Sequence, residues 1–332
     1  MPPEIPEKKL YLDENDEISG LPEKAERLFE HQLQNWGLAS YGYKSLSSVQ
    51  IKNFEFDNFS IEAHFNPGRL ISSSAKVDTQ SIRERPCFLC IDNLPSEQKA
   101  IKVFGSYILL INPFPIFNNH FTIPSVYHVP QLIKPEIESL FTISSMLGKD
   151  YSVFYNGPRC GASAPDHLHF QAGDFGFMTI DNEYDEILTK FGEVVFEDND
   201  LVLTSVIGCL RNFISLESNN ILKLANEFNR IYNVLNKVHS DIEPMMNIIC
   251  SYNNGWRVLV FPRSKHRPTY FYEEGNNKIL ISPAAVDLGG VLIFPREEDF
   301  NKITKETVID IFRQVTFSND EFKYISDKLR NG

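Results

Sequence analysis

Polar and apolar residues alternate most cleanly over two neighbouring stretches, 49–56 (VQIKNFEF) and 59–65 (FSIEAHF), on either side of Asp57-Asn58. A period of two marks strands with one buried face, and the Asp-Asn junction predicts a hairpin. Elsewhere the period lengthens. Ala25, Leu28, Phe29 and Leu33, with Pro22 near the start and Gly37 as the stop, predict a helix over 21–36. Ile137, Leu140, Phe141 and Leu147 predict one within 135–147, and 183–191 is another. Leu224, Phe228, Ile231, Leu235 and Val238 stripe a long helix over 221–238. Apolar runs predict strands at 102–112, 121–124, 151–155, 201–210, 213–216, 246–252, 257–262, 278–282 and 291–295, and two helices close the chain. Strands interleaved with a few helices are the order of an α+β architecture. The second half repeats the first half's order of elements without repeating its sequence. The connection over 174–200, with its acidic loop at 195–200, divides an arm (1–20) and a first domain (21–185) from a second (186–332).

One stretch carries an unusual density of chemistry. Residues 156–173 read NGPRCGASAPDHLHFQAG. The run 166–171 alternates like a half-buried strand, which puts His167, His169 and Gln171 on one face and Leu168 and Phe170 on the other. The small residues before it can bring backbone N–H groups close to an anion. On the residues alone, the competing reading is a polar strand face that happens to hold two histidines.

Cys87-Phe88-Leu89-Cys90 supplies two thiolates at chelating spacing, half of a tetrahedral site. A redox pair is disfavoured because no thioredoxin-like unit surrounds it. Histidines brought in by the fold would complete the site, from among His120, His128, His167 and His169. His64 reads as a strand-surface residue. Arg69, Lys76 and Arg83 could reach a phosphate or simply face solvent. The same two readings apply to Arg263-Ser264-Lys265-His266-Arg267, while Asp287-Leu288-Gly289-Gly290 is a turn by composition.

A net charge of −12 on 332 residues excludes a general binder of nucleic acid or anionic membranes, but not a small nucleotide in a locally basic cavity. No apolar run approaches the ~20 residues of a membrane span. The opening MPPEIPEKK has no signal-peptide core, and five cysteines are not a disulfide framework. A cytoplasmic location is the expectation.

Taken together, these segments resemble the histidine-triad superfamily, in the branch of galactose-1-phosphate uridylyltransferase, diadenosine tetraphosphate phosphorylase and the GDP-hexose phosphorylases. The resemblance rests on Cys87 to Cys90, on Asn112-Pro113-Phe114-Pro115 followed by NNHFTIPSVYH, on GASAPDHLHFQAG, and on ISPAAVDLGGVLIFPREEDF in the second half. It implies two histidine-triad-like halves, each an antiparallel sheet flanked by helices, the first carrying the chemistry. It implies that His169 is a nucleophile taking up a nucleoside monophosphate. Gln171 stands where the family's hydrolases have histidine and its transferases glutamine. An amide can hydrogen-bond a phosphate oxygen but cannot act as a general acid. Transfer from a nucleoside diphosphate sugar of the GDP-hexose kind, or from a dinucleoside polyphosphate, to phosphate or a sugar phosphate is therefore implied over hydrolysis. A uridylyltransferase-like enzyme and a catalytically silent nucleotide sensor are the alternatives.

The resemblance also implies a structural zinc held by Cys87, Cys90, His128 and His167, with iron as the alternative metal. It places Asn112 near the nucleotide, and Phe114 or Phe117 along the base. Asn156, Gly161 and Ser163 would surround the phosphates, with Arg159 offsetting their charge. Arg69, Lys265 and His266, read from the residues as candidate anion contacts, complete the substrate-binding set. Asp166 lengthens the Ser-to-His step relative to the uridylyltransferases, which weakens any transfer of uridine specificity. A homodimer is compatible with the branch.

Overall fold

The computed structural model describes residues 5–11, 20–70, 78–238 and 243–331. Lys76 and most of the expected arm lie outside them. The expected hairpin forms as β1 (Gln50–Glu55) and β2 (Ser60–Phe65), turned by Asn58 in the left-handed region at φ 68°.

Ten further strands make one continuous antiparallel sheet. In chain order they are β3 (Ala100–Lys102), β4 (Ile108–Ile111), β5 (His120–Pro124), β6 (Tyr151–Asn156), β7 (His169–Asp174), β8 (Gly192–Glu197), β9 (Leu201–Val206), β10 (Phe213–Ser218), β11 (Met246–Tyr252) and β12 (Trp256–Pro262). Their spatial order is β3-β4-β5-β7-β6-β11-β12-β10-β9-β8. The two halves of the chain therefore join where β6 pairs with β11, with Asn156 opposite Asn247. The hairpin β1-β2 stands apart from this sheet. Its third strand is β13 (Val291–Phe294), contributed by the second half and parallel to β2.

Alternation along each strand sends side chains to two cores. Val153 and Tyr155 face one side, against the helices Leu21–Asn35, Ile137–Leu147, Ile221–Val238 and Asn319–Asn331. Phe154 faces the other, where the small sheet and the helices Thr179–Phe191 and Lys305–Val315 pack. His64, expected on a strand surface, is buried within this second layer, with Nε2 2.7 Å from a Glu62 carboxylate oxygen and its ring edge-on to Phe177. Among the described residues no helix is long and apolar enough to cross a membrane.

Three segments depart from the periodicity. The apolar run 102–112 is not one strand. Gly105 turns it at φ 57°, and Ala100 pairs back onto Leu110. The run 278–282 forms no strand, because the Ile279 N–H donates to the Tyr270 carbonyl and the Leu280 N–H to an Asp299 carboxylate. β7 begins at His169 rather than Asp166, so His167 lies in a turn and is not held to the alternation of the strand.

Candidate active site and metal centre

The turn before β7 and the Cys87–Cys90 loop meet. Ligand atoms of Cys87, Cys90, His128 and His167 all lie within 4.8 Å of one another. His167 Nε2 is 2.7 Å from the Ser125 carbonyl oxygen, an acceptor only, so Nε2 carries the ring proton. Nδ1 is left as a lone pair, 3.3 Å from Cys87 Sγ and 3.6 Å from Cys90 Sγ. His128 Nδ1 is 3.2 Å from Cys90 Sγ, and its other nitrogen lies 3.8 Å from Asp166, which Arg85 holds at 2.8 Å. Ligand-to-ligand edges of a Cys2His2 tetrahedron are about 3.3 to 3.8 Å from ordinary bond lengths. A ring nitrogen tied to a carbonyl is the usual support for such a ligand. These four residues can hold a metal ion.

His169 begins β7 almost fully buried, at 3 % exposure. Its Nδ1 lies 2.8 Å from the His167 carbonyl oxygen, so Nδ1 carries the proton and the Nε2 lone pair is free. Burial pushes the imidazole down to about 4, which keeps it neutral and nucleophilic near neutral pH. Gln131, a residue that no sequence pattern marks, grips the strand end on both sides. Its Oε1 accepts from the His169 N–H at 2.8 Å, and its Nε2 donates to the carbonyls of His169 and Asn156 at 3.0 Å each.

Gln171, two residues along, is oriented by His120. The Ile116 N–H donates to His120 Nδ1 at 3.1 Å, so the His120 proton sits on Nε2 and donates to Gln171 Oε1 at 2.9 Å. The carbonyl end of the amide is thereby engaged, and its NH2 end is the one presented to a ligand. Asn156 is arranged the same way. Its Oδ1 accepts from the Ala285 N–H and from Asn247 Nδ2, both at 2.8 Å.

These groups line one cavity of about 370 Å³. Of the residues expected from the sequence, it brings together Arg69, Asn112, Phe114, Asn156, Gly161, Ser163, His169, Gln171 and His266. Gly161, at φ 95°, passes so close to the 283–284 backbone that an added Cβ would lie 2.5 Å from the Ala284 methyl. Trp36, Leu38, Phe88, Leu89, Leu94 and Leu110 make an apolar wall. Phe88 and Leu89 come from between the metal-site cysteines.

Four candidate residues fall elsewhere. Lys265 and Arg159 are exposed and outside the cavity wall. Phe117 is fully buried against the face of Gly173, where a Cβ would strike its ring at 2.3 Å, so it supports β7 instead of lining the base site. Arg83 is exposed on the helix Thr79–Glu84. Conversely, Arg267 and Asp287 line the cavity. Their sequence signals were an ambiguous cationic run and a turn-like tetrapeptide.

Residues 28–174 match a domain of unknown function, DUF4922, and 189–331 match the GDPGP1-like C-terminal domain. Yeast Ap4A phosphorylase Apa2 in complex with Ap4A superposes with a TM-score of 0.54 at 14% identity, over 90% of this chain and 98% of that one. The AMP complex of the same protein gives 0.53 at 15% identity, over 85% and 96%. These likenesses show a shared fold over most of the chain. Its α+β architecture is the fold of that Ap4A phosphorylase. No curated protein matches it significantly.

The His120–Gln171 pair makes a local prediction. Replacing His120 with phenylalanine removes the donor that orients the amide, so the Gln171 NH2 no longer has a fixed direction. We expect turnover of a nucleotide substrate to fall by about 10-fold or more, the worth of one hydrogen bond to a charged group. His120→Gln, which can still donate, should recover part of it. Parallel kcat and KM measurements check this; equal losses in the two variants would mean that His120 only fills space.

Proposed function

We propose that the chain is a nucleotidyltransferase working as a phosphorylase. It moves a nucleoside monophosphate from a nucleoside diphosphate sugar of the GDP-hexose kind, or from a dinucleoside polyphosphate, to phosphate or a sugar phosphate. The observation that carries this reading is His169, buried and neutral, with Nδ1 tied to a carbonyl and Nε2 open to a cavity. In the first displacement Nε2 attacks the α-phosphorus, and the sugar phosphate, or the remaining nucleoside polyphosphate of a dinucleoside donor, departs. The ring then carries positive charge, which the Nδ1–H bond to the His167 carbonyl stabilises. In the second, an acceptor oxygen attacks the same phosphorus and the P–Nε2 bond breaks, its electron pair returning to the ring.

The amide ends of Gln171 and Asn156 offer N–H donors where phosphoryl charge develops, which is electrostatic stabilisation without reorganisation. Gln171 supplies no proton to a leaving group, which favours transfer over hydrolysis. The GDPGP1-like second half agrees with the GDP-hexose resemblance without fixing the base, and the fold shared with an Ap4A phosphorylase keeps dinucleoside polyphosphates open.

We take the metal to be a structural zinc, since two thiolates and two imidazoles fill a tetrahedron and leave no open position. When bound, it ties the turn before His169 to the Cys87–Cys90 loop. The first half, 21–185, would carry the chemistry and the second, 186–332, would close the cavity.

A panel of GDP-, ADP- and UDP-sugars and dinucleoside polyphosphates, with phosphate as acceptor, tests base and reaction class together. Intact mass should show one added nucleoside monophosphate, discharged by phosphate as the nucleoside diphosphate. Discharge confined to UDP-sugars with sugar phosphates would favour the uridylyltransferase reading. Tight binding with neither adduct nor turnover would favour the sensor.

A further inference from the structure

The run Arg263 to Arg267 splits into different jobs. Arg263 is completely buried and commits all five N–H groups to the protein. Nε donates to the Val315 carbonyl at 3.1 Å, Nη1 to Asn247 Oδ1 at 2.7 Å and the Pro283 carbonyl at 2.9 Å, and Nη2 to the carbonyls of Lys265 and His266 at 3.2 and 3.1 Å. It is a fastener, and what it fastens is the loop that carries His266 and Arg267 into the cavity wall.

Arg267 is held there by its own contacts. Nε donates to Ser282 Oγ at 3.0 Å, and the guanidinium lies 3.9 Å from the centre of the Phe271 ring. The Tyr272 side chain also hydrogen-bonds it, and a guanidinium fixed in these ways is preorganised for a phosphate at its remaining N–H groups. The wall is cationic even beside the acidic whole. Burial first, then Arg267, Arg263 and Arg159, push His266 down to about 4. Asp287 shares the wall, but its two oxygens already accept from the Ala284 and Ile293 N–H groups at 2.8 and 3.1 Å.

We infer that His266 and Arg267 form the subsite for the phosphate displaced from the nucleotidyl group and for the phosphate that replaces it. This rests on the His169 reading above. Both displacements occur at one phosphorus with His169 on one side, so the departing and incoming phosphates share the opposite side. An oxygen of the incoming phosphate forms the P–O bond as the P–Nε2 bond breaks, and no other co-reactant is needed. The ligand class is orthophosphate or a phosphate monoester.

The test loads His169 from the best donor of the panel, then discharges it in two arms, with orthophosphate or with glucose 1-phosphate. Discharge to water in the same sample is the reference. Arg267→Met should lower the phosphate-to-water partition by about 10- to 100-fold, the loss expected for hydrogen bonds to a charged group. Arg267→Lys should recover part of it, and Lys265→Met should keep the parent's ratio, since that residue is exposed and outside the cavity wall. An effect on glucose 1-phosphate alone would assign the subsite to monoesters, and equal effects would assign it to phosphate generally.

A second measurement does not require loading. In the His169→Ala background, GDP should bind more tightly than GMP by calorimetry, and Arg267→Met should erase that preference. A partition and a diphosphate preference that both survive Arg267→Met would overturn the inference while leaving the nucleophile standing. A parent that never forms the adduct would instead overturn the His169 reading, and this subsite with it.

Discussion

Replacing His169 with alanine abolishes the covalent adduct and lowers nucleotidyl transfer by on the order of 10⁴-fold or more, the scale of losing a covalent nucleophile. The expectation follows from the ring's two fixed nitrogens. Nδ1 is committed to the His167 carbonyl at 2.8 Å, and only Nε2 opens on the cavity. His120 cannot substitute, because both of its nitrogens are bonded within the protein and burial pushes it down to about 3. His266 sits on the wall contributed by the second half, beside the cations. Nucleotide affinity should survive far better than turnover, since Arg69, Asn112 and Asn156 are untouched by the change. Intact mass after incubation with the preferred donor, single-turnover rates and calorimetry with the nucleoside monophosphate check all three statements. An adduct on the His169→Ala variant, or turnover near that of the parent, would remove His169 from the mechanism.

The candidate site was legible in the sequence wherever chemistry and local spacing coincide. Cys87 and Cys90 are three apart and His167 and His169 two apart, whereas His128 was singled out only by the family resemblance; the fold brings Cys87, Cys90, His128 and His167 together. The strand alternation was a poorer guide. It predicted His167 and His169 on one face, but the strand starts only at His169, and His167 is free to turn toward the cysteines. Lys265 and Arg267 could not be told apart, because only the buried anchor Arg263 decides which of its neighbours faces inward. Gln131 and His120 act through other residues' backbone and amide groups. No periodicity encodes such a contact across 38 or 51 positions.

The fold divides along the same line. The hairpin at Asp57-Asn58 and the long helix Ile221–Val238 are local objects, fixed by a turn and a stripe, and both form where the pattern put them. The single ten-stranded sheet and the parallel pairing of β13 with β2 depend on which edges meet, information spread over more than 200 residues. The misread strands failed for nearer reasons. One apolar run held a glycine that turns, and another found partners for its N–H groups in a loop carbonyl and a carboxylate.

Stripping the metal, or replacing Cys87 with serine, should cost the protein its chemistry before it costs it its fold. β7 is paired on both sides, by β5 and β6, so the sheet persists without the ion. What an ion held there would join is the turn holding His167 and the loop holding Phe88 and Leu89. The His167 carbonyl orients Nδ1 of His169, and Phe88 and Leu89 are part of the apolar cavity wall. Loosening both should lower transfer by about 100-fold, the upper range for losing the support of a metal-site ligand. Far-ultraviolet circular dichroism should change little. The stability loss should fall short of the ~10 kcal/mol that structural zinc contributes when it organises a whole small domain. The two ligand classes should also differ. Cys87 is buried at 7 % exposure, whereas the His128 side chain is 47 % exposed, where water can take the vacated position. Elemental analysis should therefore find metal absent from Cys87→Ser and weakly held in His128→Ala. Full occupancy in both variants would refute this ligand set, and full transfer activity in the chelated protein would refute the coupling between the metal and His169.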